Sequence, residues 1–213
     1  MPARADYIQR LRASPATAAG LRAERQRISK ETAAWNRSRV LGLAHGLMDA
    51  GIARFVAYEL VLHHGPALES LTRKEVEKLG AGIRHWGDVD AFACLIAGPA
   101  WRAGHIRDAA IRAWARSQNW CWRRAALVST VPLNSRAQGG AGDTTRTLAV
   151  CEMLMTDRHD LVVKALSWAL RELAKRDPHS VRRFLADHRE ELAARVFREV
   201  GNKLATGLKN PRG

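Results

Sequence analysis

Residues 160–175 read Asp-Leu-Val-Val-Lys-Ala-Leu-Ser-Trp-Ala-Leu-Arg-Glu-Leu-Ala-Lys, and this stretch decides the fold class. Its apolar residues recur three or four positions apart, which predicts an amphipathic α-helix. The stripe expected to pack against other helices consists of Val162, Ala165, Leu166, Ala169 and Leu173. The charged side consists of Lys164, Trp168, Arg171 and Glu172. Because Trp168 lies among charged residues, we expect its indole to be partly exposed.

The same helical pattern recurs along the chain, with Gly, Pro or Asn between the segments. Short turns favour antiparallel neighbours, and helix pairs that recur every 35 to 45 residues or so (about one HEAT repeat) are typical of solenoids. We therefore predict an all-α protein, an α-solenoid of HEAT-like antiparallel helix pairs that forms one domain over residues 1–213. A compact helical bundle is the alternative. Helices are expected at residues 17–35, 39–50, 53–64, 88–97, 99–116, 120–130, 144–155, 160–175, 178–188 and 190–207.

The composition agrees with a helical, soluble protein. The chain contains 36 Ala and 23 Leu but only 20 Val and Ile together, which favours helices over sheets. Its longest uncharged apolar stretch, residues 91–101, is too short to span a membrane, and the N-terminus lacks the apolar segment of a secretory signal. Three widely spaced cysteines are expected to be reduced thiols. We expect a cytoplasmic protein associated with the nucleoid.

The chain is strongly basic, with 35 Lys and Arg against 21 Asp and Glu and a formal net charge of +14. Arginine supplies 28 of these cations, and its planar guanidinium binds phosphate oxygens in a fixed geometry. Nucleic acid is the expected partner rather than an anionic membrane, because no hydrophobic face lies beside the charges. A solvated surface that reflects coding bias alone is the alternative. The densest cluster, in residues 101–124, consists of Arg102, Arg107, Arg112, Arg116, Arg123 and Arg124.

Common catalytic and cofactor motifs are missing from the sequence. It contains no G-x-x-x-x-G-K-[ST] phosphate-binding loop, no G-x-S-x-G elbow and no H-E-x-x-H zinc motif. His63 and His64 have no further ligands at metal spacing. We therefore expect no cofactor and no bound metal. The glycine-rich segment 135–143 is expected to form a flexible loop.

The block from His85 to Asp90 is a candidate site. Gly87 or Asp88 can cap a helix, which would leave Asp90 in the first turn, where the helix dipole favours an ionised carboxylate. An aromatic face such as that of Trp86, next to a fixed anion, suits a transient cation. Each residue alone also fits a structural role, Asp90 as a helix-end carboxylate and Trp86 as a packing residue.

Three blocks, in this order within residues 84–200, resemble the AlkD-like family of DNA alkylation repair glycosylases. Trp86 and Asp90 are similar to the family's W-D-x-V-D block, although Gly87 replaces the Asp that usually follows the Trp. Residues 117–126 resemble its S-x-N-x-W-x-x-R-A-A block, whose Arg falls on Arg124. Residues 164–172 resemble its K-A-I-G-W-x-L-R-E block, which matches the family's active-site Trp with Trp168.

The resemblance implies a monofunctional glycosylase, with no Schiff base, that hydrolyses the N-glycosidic bond of cationic N3- or N7-alkylated purines. Asp90 would stabilise positive charge on the deoxyribose and position a water, while Trp86 and Trp168 would pack on the sugar. Arg124 would hold a phosphate beside the lesion. The other candidates for DNA binding are Arg123, Arg112, Arg116, Lys164 and Arg171.

The implied partner is duplex DNA containing alkylated purines, held by a monomer on the concave basic face of the helical stack. A HEAT-like scaffold that binds DNA or protein without catalysis is the alternative. The joint presence of Trp86, Asp90, Arg124 and Trp168 argues against that alternative, because an inactive relative would be free to lose at least one of them.

Overall fold

The computed structural model describes residues 3–211, and these residues form helices and turns without a strand. The predicted all-α class is confirmed. Within the described residues, no helix is long and apolar enough to cross a membrane. The chain divides after Gly82 into two compact units. The single domain expected over residues 1–213 stays a prediction.

The first unit is built around a helix pair whose facing sides are apolar. Its helices are α1 (Arg4–Ala13), α2 (Ala18–Glu31), α3 (Arg37–Asp49), α4 (Arg54–Leu62), α5 (Gly65–Leu68) and α6 (Arg73–Gly80). Helix α4 packs against both α2 and α3. Two of these helices, α1 and α6, were not predicted from the sequence. Four of the ten residues of helix α1 are charged, and only Tyr7 and Leu11 are buried, so its apolar signal is weak.

The second unit contains the sequence blocks that carry the candidate site. Its first elements are α7 (Trp86–Phe92), a π-helical turn (Ala93–Ala97), α8 (Gly98–Arg102), α9 (Asp108–Ala115), α10 (Trp120–Val128) and α11 (Val131–Asn134). A 3-10 turn (Arg136–Gln138), α12 (Thr144–Leu154), α13 (Asp160–Leu173), α14 (Pro178–Asp187) and α15 (Ala194–Thr206) follow. Side-chain oxygens of Asn119, Asp143 and Asp177 cap α10, α12 and α14, as short polar residues at helix starts commonly do.

The helices of the second unit pack in two layers. Helices α7, α10, α13 and α15 lie side by side in this order and form the first layer. Helices α9 and α12 are neighbours in the second layer, and each packs against α10 of the first. The consecutive pairs α9 with α10, α12 with α13, and α14 with α15 also pack together. This pairing is compatible with the predicted α-solenoid of helix pairs.

The helical run that begins at Trp86 ends at a different place from the one predicted. The expected break between residues 97 and 99 is absent, because α7, the π-helical turn and α8 follow one another with helical backbone angles. Pro99 therefore lies inside the run, directly after the π turn, where the regular hydrogen-bond pattern is already interrupted. The true break comes at residues 103–107, where Gly104 has a φ of +81°, a conformation that favours glycine.

The glycine-rich loop expected to be flexible is held by many hydrogen bonds. Arg102 Nη1 donates to the carbonyls of Pro132 at 2.8 Å and Gln138 at 2.6 Å. Arg176 donates to the carbonyls of Asn134 and Gly140. A Cβ on Gly140 would lie 2.5 Å from the Pro132 carbonyl oxygen. Glycine is thus required here for close packing of the backbone, while the expected flexibility of the loop stays a prediction.

Candidate functional site

The site begins at the N-terminus of α7. His85 caps this helix, because its Nδ1 accepts a hydrogen bond from the backbone N–H of Gly87 at 3.2 Å. A Cβ at position 87 would lie 3.2 Å from the same Nδ1, so the absence of a side chain at Gly87 leaves room for the cap. Trp86, the first residue of the helix, is 49% exposed. Its ring centroid lies 5.4 Å from that of His85.

Asp90 is held by a two-bond ion pair with Arg124. Arg124 Nε donates to Oδ1 of Asp90 and Nη2 donates to Oδ2, both at 2.8 Å. This fork geometry fixes both oxygens of the carboxylate. Asp90 is the fifth residue of α7, beyond the first turn expected from the sequence. The neighbouring cation that compensates its charge is therefore Arg124 rather than the helix N-terminus.

Arg124 also ties the pair to the next helix of the layer. It is buried, and its Nη1 donates to the carbonyl of Leu161 near the start of α13. All three of its guanidinium nitrogens are thus engaged inside the protein. The guanidinium carbon lies 6.0 Å from the ring centroid of Trp86. A single buried side chain consequently joins Trp86 and Asp90 of α7 to α13.

Burial of the carboxyl affects how Asp90 titrates. Its side chain is 17% exposed. Burial raises the pKa of Asp90, and the attraction of Arg124, followed by that of His85, acts against this rise. The carboxylate therefore has an open side towards solvent while most of it is surrounded by protein. A half-buried fixed anion of this kind can stabilise a nearby cation more strongly than an exposed one can.

Trp168 lies on α13 in the same layer, and its side chain is neither fully buried nor fully exposed. All five residues of the apolar stripe predicted for this helix are buried. Glu172, expected on the charged side, is buried too and pairs with Lys175 at 2.6 Å. Leu161 and Trp168 are seven residues apart, so they share one face of α13 about 10.5 Å apart along its axis. This places Trp168 two turns from the Arg124 contact.

The cationic candidates on the first layer differ in how many ion pairs and hydrogen bonds they form within the protein. Lys164 forms an exposed ion pair with Asp160 at 2.7 Å. Arg123 Nε pairs with Asp157 at 2.6 Å, and its Nη1 donates to the carbonyls of Ser117 and Gln118. Arg123 thus closes the turn before α10.

Arg171, the remaining cationic candidate on this layer, is surrounded by polar groups of the protein. Its Nε donates to Ser167 at 3.2 Å and lies 4.0 Å from buried Glu199. Burial lowers the pKa of Arg171, and the attraction of Glu199 opposes that change. Ser167 also donates to Glu199 at 2.7 Å, so Arg171 belongs to a small network between α13 and α15.

The structure does not bring Arg112 and Arg116 to this site. Both are exposed; Arg112 lies on α9 and Arg116 directly follows it, and α9 belongs to the second layer. The buried residues of that helix are Ala110, Ile111, Trp114 and Ala115, and Arg112 and Arg116 lie on the opposite side of the helix from them. They therefore face away from the layer that carries Asp90.

Two residues near Asp90 were not identified from the sequence. Cys94 follows Asp90 by one turn, and burial together with the Asp90 carboxylate raises the pKa of its thiol to about 12. Gln138 reaches Cys94 with its side chain, and its Oε1 is buried without a hydrogen-bond partner among the described residues. The i, i+4 spacing of Asp90 and Cys94 was a usable signal. The approach of Gln138 was not, because it depends on how the loop folds back.

The part of the chain that the structure describes has no group of three or more His, Cys, Asp or Glu side chains that could hold a metal ion.

A search of curated protein sequences gives no match. A family model described as "DNA alkylation repair enzyme" matches residues 1–204. The match includes the first 83 residues, which lie outside the resemblance drawn from the three sequence blocks. The chain therefore belongs to the family of DNA alkylation repair enzymes.

Proposed function

We propose that the protein is a monofunctional DNA glycosylase that hydrolyses the N-glycosidic bond of cationic N3- or N7-alkylated purines in duplex DNA. The observation that carries this proposal is the Asp90 carboxylate, fixed by two hydrogen bonds from Arg124 and flanked by the exposed indole of Trp86. Membership of the DNA alkylation repair enzyme family supports DNA as the substrate.

The chemistry of the substrate explains why so few groups are needed. An alkylated purine already carries a positive charge, so it can leave without being protonated by an acid. Positive charge then develops on the deoxyribose, as it does on sugars in other glycosidic hydrolyses. Asp90 would stabilise that charge and position a water near the anomeric carbon. Trp86 and Trp168 would pack their aromatic faces on the sugar.

We assign Arg124 to the positioning of Asp90. Three of its five N–H groups already bind Asp90 and the Leu161 carbonyl, and the side chain is buried, which disfavours the phosphate contact implied by the resemblance. The guanidinium would act through Asp90 by keeping both carboxylate oxygens in place before the substrate arrives. Preorganisation of this kind avoids the energetic cost of turning charged groups during the reaction.

Contacts to the DNA backbone would come from other side chains of the first layer. Lys164 is the best placed, because its ion pair with Asp160 is exposed and therefore weak. A phosphate could replace Asp160 as its partner. Arg171 would attract the DNA phosphates with its positive charge while it stays in the network with Glu199. Arg123 would support DNA binding mainly because it holds the start of α10 in place.

The experiment that tests the proposal is base release by the purified protein. A duplex with a single 7-methylguanine should release free 7-methylguanine, and the strand should stay intact until the abasic site is cleaved by alkali. A scaffold without catalysis would bind the duplex and release no base. Strand cleavage without alkali would contradict the monofunctional mechanism.

A further inference from the structure

The second layer of the second unit carries a row of arginines that the proposed reaction does not use. Arg107 directly precedes α9, Arg112 lies on it and Arg116 directly follows it; all three are exposed. Arg112 and Arg116 are four residues apart and share one side of the helix, about 6 Å apart along its axis at 1.5 Å per residue. The exposed residues between Arg107 and Arg116 include Ala109 and Ala113. The surface is therefore basic without large apolar side chains, which disfavours a membrane as its partner.

A cavity of about 420 Å³ opens beside this row, at the start of α9 and next to the start of α12. The buried Trp101 and three guanidinium groups line it. The lining includes Trp101, Arg107, Asp108, Arg112 and Arg146. The cavity is open to solvent and lies in the second layer, whereas Asp90 and Arg124 lie in the first.

One of the three guanidinium groups is held in place before any ligand binds. Arg146 Nε pairs with Asp143, its Nη1 donates to the carbonyl of Trp101 at 3.1 Å, and its guanidinium carbon lies 5.1 Å from the ring centroid of Trp101. None of these contacts uses Nη2. The side chain thus offers fixed donors at the edge of the cavity, with little conformational entropy left to lose on binding.

The charges around the cavity are not balanced. The lining carries the guanidinium groups of Arg107, Arg112 and Arg146 against the carboxylate of Asp108, whose Oδ1 accepts a hydrogen bond from the indole Nε1 of Trp101 at 2.8 Å. Within residues 3–211, neither Arg107 nor Arg112 forms an ion pair with a carboxylate. Fork-shaped donors that lack an anion, beside a third that is preorganised, fit the oxygens of a phosphate group.

We propose that this cavity and the adjoining row form a second phosphate-binding site, which holds the backbone of a second nucleic-acid duplex. A backbone fits better than a free phosphate because the row continues beyond the cavity to Arg116, farther than one phosphate group extends. A protein that uses both layers can hold two duplex segments at once, one at the Asp90 site and one here.

The test is the number of duplexes that one protein molecule binds. Sedimentation of the full chain with an excess of a short undamaged duplex at low salt should give complexes with one protein and two duplexes. The double variant R107A/R112A should give one duplex per protein. For the second binding step, the slope of log K against log salt should be about −0.9 per phosphate contacted.

A control separates this site from its alternatives. The variant R182A/R183A removes the same charge from an exposed part of α14 and should keep two duplexes. A wild-type protein that binds one duplex only would overturn the proposal. A second pair of results would also overturn the proposal of a duplex site. In that case calorimetry shows that inorganic phosphate binds the wild type but not R107A/R112A, and each of the two proteins binds one duplex only. Both results would leave the glycosylase proposal intact, since base release from a damaged duplex is measured separately.

Discussion

At the scale of single residues, the proposed reaction depends on the ion pair of Asp90 and Arg124. The two residues are 34 positions apart in the chain, and their spacing gives no sign that they meet. The sequence could predict that Asp90 and Trp86 lie together, because they are four residues apart on one helix. It could not predict that Arg124 is buried against Asp90, since that depends on how α10 packs beside α7. For this reason we propose a positioning role for Arg124, whereas the resemblance implies a phosphate contact.

The positioning role predicts a specific defect for Arg124→Lys. Lysine keeps the positive charge but cannot bind both carboxylate oxygens in a fork. A displacement of Asp90 by about 1 Å should lower the rate of base release on the order of 10²-fold, while the affinity for duplex DNA changes little. Single-turnover kinetics and fluorescence anisotropy measure the two quantities. A loss that appears only in affinity would instead identify Arg124 as a phosphate contact.

The raised pKa of Asp90 predicts a pH dependence of excision. The reaction needs the carboxylate, so base release should fall as the pH is lowered through the pKa of Asp90. Because burial raises that pKa, the fall should occur at higher pH than the value of about 3.9 for an exposed Asp would give. Rates must be corrected for spontaneous depurination at each pH. In Arg124→Lys the fall should shift to still higher pH, because lysine cannot make both hydrogen bonds through which Arg124 lowers the pKa of Asp90. An unchanged profile would argue against their coupling.

The half-buried position of Trp168 predicts different effects on activity and on stability. Trp168→Ala should lower base release because the sugar loses an aromatic contact. Its free energy of unfolding should fall by less than the roughly 3 to 5 kcal/mol expected for a fully buried Trp. Trp101→Ala is the matched comparison, because Trp101 is only 1% exposed. If Trp168→Ala proved as destabilising as Trp101→Ala, Trp168 would be a core residue.

At the scale of secondary-structure elements, the sequence located most helices but misplaced one boundary. The period of apolar residues identified α13 and its buried stripe, because a 14-residue amphipathic helix gives a strong signal. Pro99 was interpreted as a helix start because proline favours the first turn. The π-helical turn before it, which lets the helix continue, has no recognisable sequence signal. The break at residues 103–107 depends on Gly104 instead.

The glycine-rich loop is a second feature whose structure the sequence did not reveal, and it offers a test. Glycines in a row resemble a flexible linker, yet Gly140 is needed because the backbone passes close to Pro132. Gly140→Ala should lower the free energy of unfolding by about 1 to 3 kcal/mol, as overpacking typically does. Gly201→Ala is the control: no atom lies within 4 Å of its Cβ position in α15, so the exchange should be neutral or slightly stabilising. Thermal and denaturant unfolding measure both. Equal stability of the two variants would mean that the loop adapts freely.

At the scale of the whole molecule, the net charge of +14 suits an anionic partner, and family membership suggests that this partner is DNA. The composition predicted a nucleic acid as the partner, which agrees with the family, but it could not predict which arginines are used inside the protein. Many of them are used inside the protein: Arg102 and Arg176 hold a loop, Arg123 closes a turn and Arg124 orients a carboxylate. A basic composition therefore overstates the number of cations available for phosphate.

If this basic helical protein breaks glycosidic bonds with Asp90, the Asp90→Asn variant should lose base release. Removal of the carboxylate charge should slow the release of 7-methylguanine from duplex DNA by about 10² to 10³, or roughly 3 to 4 kcal/mol. Asparagine keeps one acceptor for Arg124, so the variant should still fold and bind the duplex, although with lower thermal stability because a buried guanidinium loses its counter-charge. Circular dichroism and anisotropy check both points before the rates are compared. The account predicts that a folded, DNA-binding Asp90→Asn variant releases almost no base; release at the wild-type rate would contradict it.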